Sequence, residues 1–271
     1  MTLEEEYIQL LNLYARVVDS VQGEKVSADW LVDVEPLSAK LFQHLGTLCY
    51  LAEGTKLPDV LGKPFQYIDY PSIAALARVI CENYLTFFFV FVDPSVSIEE
   101  KYFRYQLWKL SGLISRQKFR DFVSPQNKQK IVLEAKIIDE LHKQILASPF
   151  YNQLPSGVQK QAKKGDWRMN KSWEQLAKIA GFDREYFQVV YRLLSSYSHT
   201  DYLCVLKIGQ PDSEEKRTAL NPKTWLQLGL MIMGRFVFDY ASVFPKTQEV
   251  LISSSDEASL ANIWRLVACK E

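Results

Sequence analysis

The chain has 271 residues, 48% hydrophobic and 24% charged, which is enough apolar material for a sizeable core and an ordinary globular balance. Its 32 basic and 32 acidic side chains cancel, and the pI is about 6.8; that argues against a strongly electrostatic binder of nucleic acid or membrane and leaves only local patches. Eleven glycines and eleven prolines are too few for a low-complexity linker. Cys49, Cys81, Cys204 and Cys269 are widely spread with no Cys-x2-Cys, as expected of buried, reduced thiols in a cytoplasmic protein. The acidic start, Met1 to Glu6, lacks the apolar stretch of a signal peptide.

Residues 3–20 place Leu10, Leu13, Tyr14 and Val17 at helical spacing, predicting an amphipathic first helix. Pro36 is expected to open a second, which stops at Gly54. His44 falls inside its apolar stripe and reads as a packed histidine. Residues 55–70, with Pro58, Gly62 and Pro64, read as a loop. Pro71 to Asp93 is the most apolar stretch and long enough to cross a bilayer. Arg78, Glu82 and Asn83 lie inside it, and charges in mid-span are costly, so it is predicted to be a central buried helix and not a membrane span. Arg78 and Glu82, four residues apart, can pair with each other as a structural ion pair, or one of them can orient His199 or Arg192 further along the chain.

Ser97-x-x-Glu100 predicts a capping box opening a helix to about Lys118. Residues 101–130 hold eight basic residues against the single acid Asp121. Lys109, Arg116 and Arg120 recur on one helical face near Tyr102, Tyr105 and Trp108, a pattern suited to single-stranded RNA and equally to a solvated face. Pro125 to Ala147 predicts another helix. Its Asp139-x-x-His142 lacks the partner motif and extra acids of a di-metal bundle, so no metal site is expected. Residues 148–171, with two prolines, two glycines and five basic side chains, mark where the chain would subdivide. Ser172-x-x-Gln175 caps a short helix ending at Gly181. Lys207 to Leu220 reads as a polar loop, Asn221-Pro222 starts a long apolar helix through Phe244 in which Gly229 and Gly234 permit close packing, and Ser254-x-x-Glu257 caps a last helix.

The helix from Asp183 carries the one polar cluster with site-like spacing. Tyr191, Ser195 and His199 sit at i, i+4 and i+8, and Arg192 and His199 are seven residues apart, two turns along one face. An arginine that stays charged and an imidazole that can exchange a proton suit phosphoryl-ester chemistry without a metal. A buried Ser/His/Tyr row also serves as a hydrogen-bond ladder between helices.

Tyr191-x3-Ser195-x3-His199, preceded by Trp173-x2-Leu176-Ala177-x2-Ala180-Gly181, resembles a bacterial family of all-helical proteins of unknown function in which an earlier helix carries Arg-x3-Glu. Arg78 and Glu82 match that earlier pair. The arrangement is also similar to HEPN domains (higher eukaryotes and prokaryotes nucleotide-binding), whose signature is an arginine followed four to six residues later by a histidine. Arg192 and His199, with six residues between them, fit the upper limit, while Leu193 stands where HEPN nucleases usually have a polar residue. The likeness covers residues 73–92 and 172–203. It implies metal-independent RNA cleavage at a homodimer interface in active members, binding alone in others, and a phage-defence or toxin–antitoxin setting. On that implication His199 is the base and Arg192 stabilises the phosphate. Tyr191 and Ser195 position the reactants, and Arg78 and Glu82 support them. Separately, the basic face of Lys109, Arg116 and Arg120, read from its spacing, is the candidate contact for nucleic acid.

The expected architecture is all-α: a bundle of eight to ten helices without significant sheet, in one domain over residues 1–271. No cofactor motif of the Gly-x-Gly-x-x-Gly or Gly-x4-Gly-Lys type is present. Two functions stand at this point, an endoribonuclease and a non-catalytic module that binds a protein partner or a nucleotide.

Overall fold

A computed structural model describes residues 1–199, 201–209 and 221–267. It is predominantly helical, with thirteen α-helices among the described residues and one two-stranded hairpin. The chain divides into two compact units: residues 1–88 with 177–271, and residues 89–176.

In the first unit α1 (Leu3–Asp19) opens with a full capping box between Thr2 and Glu5. Helix α2 (Val34–Ala52) begins two residues before Pro36, behind a short 3-10 turn at Asp29–Asp33. Strands β1 (Thr55–Val60) and β2 (Lys63–Tyr67) form an antiparallel hairpin where a loop was expected. The prolines that suggested a loop are tolerated because Pro58 lies in the irregularity between Leu57 and Val60 and neither it nor Pro64 is a register partner, so the missing N–H falls outside the paired positions. Asp69 caps α3 (Tyr70–Phe87), accepting from the Ser72 amide at 3.2 Å. Residues 70–92 are long and apolar enough to cross a membrane, and 72% of the most apolar window is buried inside the protein, as in a core helix.

Helix α9 (Arg184–His199) packs on α3, and α10 (Tyr202–Gly209) follows it. The expected loop at 207–220 therefore begins as helix, and residues 210–220 lie outside the described residues, as does Cys269. Helix α11 (Pro222–Val243) runs through the middle of the unit against α1, α2, α3 and α13 (Ser255–Leu266), with α12 (Gln248–Ser253) between. Fourteen of its residues are buried. Tyr14 stacks on Phe236 at 4.4 Å, and Tyr84 on α3 donates to Asp239 Oδ2 at 2.7 Å. Burial pushes the Asp239 carboxyl up to about 6, against the pull of Tyr84, Arg235 and Arg265.

The second unit contains α4 (Ile98–Gln117), α5 (Pro125–Ala147), α6 (Pro149–Gln153), α7 (Ser156–Lys163) and the start of α8 (Trp173–Ile179). Ser97 caps α4 through the Glu100 amide, but the Glu100 carboxylate turns to Arg104 at 2.8 Å instead of closing the box. Arg104 is 5% exposed and also reaches Asp93 at 2.7 Å and the Phe89 carbonyl at 3.1 Å, with its guanidinium 4.1 Å over the Phe89 ring. Helix number exceeds eight to ten because segments read as connectors, including 148–171, fold into short single helices.

Two glycines in α11 set how closely its neighbours approach. A Cβ on Gly229 would lie 2.7 Å from the Tyr7 ring, and one on Gly234 would lie 2.5 Å from the Ala261 carbonyl oxygen and 2.9 Å from the Arg265 amide. The Gly234 obstacle is backbone of α13 and cannot rotate away. Gly234→Ala is therefore expected to destabilise the protein by about 1–3 kcal/mol, read as a lower urea midpoint, although alanine favours helix over glycine.

Candidate functional site

The polar cluster forms where α3 and α9 cross. Asp183 starts α9 by accepting from the Tyr186 amide at 2.8 Å, and Gly181, at φ +78°, turns the chain out of α8. Helical spacing then buries Phe187, Tyr191, Leu194 and Tyr197 and leaves Arg192 and His199 exposed.

Four of the expected residues converge. Glu82 Oε1 accepts from Arg78 Nε at 2.8 Å, one helical turn away, and from the Tyr191 hydroxyl at 2.6 Å on the other helix. Arg78 Nε also lies 3.3 Å from that hydroxyl, with the guanidinium 5.3 Å from the Tyr191 ring centre. The other end of the same guanidinium, Nη1, meets His199 Nε2 at 2.9 Å. A guanidinium has donors only, so His199 Nε2 is the acceptor, and a neutral ring with that arrangement carries its proton on Nδ1.

Electrostatics follows the geometry. Burial, then the bond to Glu82, raises the Tyr191 phenol well above its ordinary range, so Tyr191 is a donor and not a base. Burial alone would weaken the charge on Arg78, but the contacts to Glu82 and Tyr191 outweigh it and hold the guanidinium protonated more firmly than usual. The side chains of Arg78 and Glu82 are 19% and 27% exposed, so the network is reachable from solvent.

Other expected residues stand apart. Arg192 is exposed two turns before His199 on α9, and the His199 ring meets Arg78 instead. Among the described residues neither Arg192 nor the Ser195 hydroxyl has a hydrogen-bond partner. Ser196 and Ser198 spend their hydroxyls on the Leu193 and Leu194 carbonyls. The proposed nucleic-acid contacts lie in the second unit: Arg116 pairs with Glu134 at 3.2 Å, Lys109 reaches the Tyr105 hydroxyl at 3.2 Å, and Arg120 lies 3.8 Å from Asp121. No group of three or more His, Cys, Asp or Glu that could hold a metal occurs among the described residues; His142 contacts the Lys163 carbonyl at 3.2 Å.

The sequence offered Arg78 or Glu82 as a group that orients His199 or Arg192 but could not single out the Arg78–His199 pair, because periodicity pairs residues on one helix and says little about which helices cross. A signal was present: a charged Arg/Glu pair inside the most apolar helix needs polar partners, and the Tyr/His row on α9 could supply them.

The Glu82 oxygen shared by two donors is expected to couple them. In urea unfolding, Tyr191→Phe and Glu82→Gln should each cost about 1–2 kcal/mol, discounted for partial exposure. The double variant should fall short of their sum by about 0.5–1 kcal/mol. Strict additivity would mean that the two side chains do not interact in solution.

A family model described as a family of unknown function (DUF5677) matches residues 67–216, more than half of the chain and all four clustered residues. No curated protein and no solved structure matches. The chain belongs to this family of unknown function.

Proposed function

We propose that this DUF5677 chain is a HEPN-like, metal-independent endoribonuclease of bacterial type, with RNA as its partner. The observation that carries the reading is the contact between Arg78 and an exposed histidine that accepts through Nε2. One base and one fixed cation, side by side at solvent, are the minimum for transesterification of a phosphodiester.

Phosphate oxygens accept from a guanidinium more strongly than a neutral imidazole does. An incoming phosphodiester therefore draws Arg78 Nη1 to itself and frees the lone pair on His199 Nε2. That nitrogen takes the proton of the adjacent 2′-hydroxyl as O2′ attacks phosphorus. The P–O2′ bond forms, the P–O5′ bond breaks, the leaving 5′-oxygen takes a proton from water, and His199 returns the proton it took to solvent. The products are a 2′,3′-cyclic phosphate and a 5′-hydroxyl. Arg78 neutralises the charge growing on the non-bridging oxygens, and Glu82 and Tyr191 hold the guanidinium in place. Arg192, exposed on the same face of α9, is a second cation for the adjacent phosphate.

The test is incubation of purified protein with mixed single-stranded RNA in EDTA, followed by mapping of product ends. The wild type should leave 2′,3′-cyclic phosphates. His199→Ala should lose about 10²–10⁴-fold in rate, and Arg78→Lys about 10²-fold, with circular dichroism unchanged. A folded wild type that leaves all RNA intact would overturn the reading and favour a module that binds without cleaving.

A further inference from the structure

Away from this cluster, two adjoining cavities open beside α1 and α2, each of about 250 Å³, with Val18, Gln22 and Glu35 in the walls of both. Their walls combine aromatic faces with carboxylates. Tyr14 and Phe42, ring centres 5.7 Å apart, line the first, and Tyr240 and Phe244, 4.8 Å apart, line the second. Asp19 and Glu35 are the charged residues lining the first cavity, both exposed, and neither has a cationic partner within salt-bridge distance among the described residues. In the second cavity Glu24 is held by Lys246, and Lys25 is the remaining cation.

An independent observation points to a ligand. Tyr240 is 2% exposed and lines the second cavity, and its hydroxyl makes no hydrogen bond among the described residues. The small part of Tyr240 that stays exposed includes this hydroxyl, so its hydrogen-bonding capacity is open at the cavity wall. Burial chiefly, and then the nearby charges of Glu35 and Asp19, push this phenol well up, so the hydroxyl remains protonated in the field of both carboxylates.

We propose that this cleft is a binding site for a small organic cation, an ammonium group on an apolar body. The ammonium is held between Asp19 and Glu35, and the body lies on the Tyr14, Phe42 and Tyr240 rings. Aromatic faces attract cations and reject anions, and two carboxylates with no ion-pair partner among the described residues, against the single cation Lys25, set the sign of the charge that enters. The cleft is too small for a polymer and suits one ring or a short alkyl chain. This site does not depend on the nuclease reading, since it uses none of the same side chains.

The probe is 2-phenylethylamine, titrated into the full chain by calorimetry, with 3-phenylpropionate and 2-phenylethanol as anionic and neutral analogues of similar shape. The amine should bind with a dissociation constant at or below about 1 mM, and the anion should not bind measurably. The surface double variant Asp19→Asn/Glu35→Gln, checked for an unchanged melting temperature, should lose at least about tenfold in affinity. Tyr240→Phe should weaken binding less, because the ring surface remains. Absence of amine binding to the wild type, equal binding of all three probes, or unchanged affinity in the double variant would each overturn the proposal.

Discussion

A single carboxylate oxygen, Glu82 Oε1, accepts hydrogen bonds from two helices at once, from Arg78 on its own helix at 2.8 Å and from Tyr191 across the crossing at 2.6 Å. Both bonds involve a charged partner, the stronger kind, and both are partly shielded from water. With one nitrogen of its guanidinium taken by Glu82, Arg78 points another at His199. Removal of the carboxylate would leave a half-buried guanidinium without its counter-charge and a phenol without its acceptor, so the orientation of His199 depends on a residue it does not touch.

The scaffold behind that oxygen runs to the middle of the unit. Arg235 on α11 donates to the Ala180 and Gly181 carbonyls at 2.8 and 3.3 Å and lies 3.9 Å over the Phe182 ring, which ties down the corner between α8 and α9. Phe182 packs on Phe187 at 5.5 Å, and Phe187 stacks on Tyr191 at 5.7 Å. On the other helix, Tyr84 bonds Asp239, again on α11. Both walls of the site are therefore referenced to one buried helix, whose close packing through Gly229 and Gly234 leaves little room for it to shift.

Much of this was legible in the sequence, for reasons that can be named. Helices with a strong period or a clear cap, such as those starting at Thr2, Ser97 and Asp183, declare themselves through local chemistry. The hairpin at 55–67 did not, because its strands are short, contain proline and have no buried face to impose alternation. Short helices at 149–153 and 156–163 were hidden inside a proline- and lysine-rich connector, since five to eight residues hold too little period to read. At the site the members were visible, and so was the Arg78–Glu82 pair, but not which of these two would meet which of Arg192 and His199. Arg192 and His199 share a helical face by arithmetic, while Arg78 reaches His199 through a helix crossing that no local spacing encodes.

The central claim is that His199 is held as an acceptor by Arg78, poised to take a proton once a phosphate draws the guanidinium away. Nitrogen NMR of the imidazole in the intact protein, at a pH where the ring is neutral, reads this directly. The account predicts that the wild-type ring carries its proton on Nδ1, and that Arg78→Ala returns it to the Nε2-protonated tautomer that free imidazoles favour. A His199 ring protonated on Nε2 in the wild type, unchanged by Arg78→Ala, would contradict it.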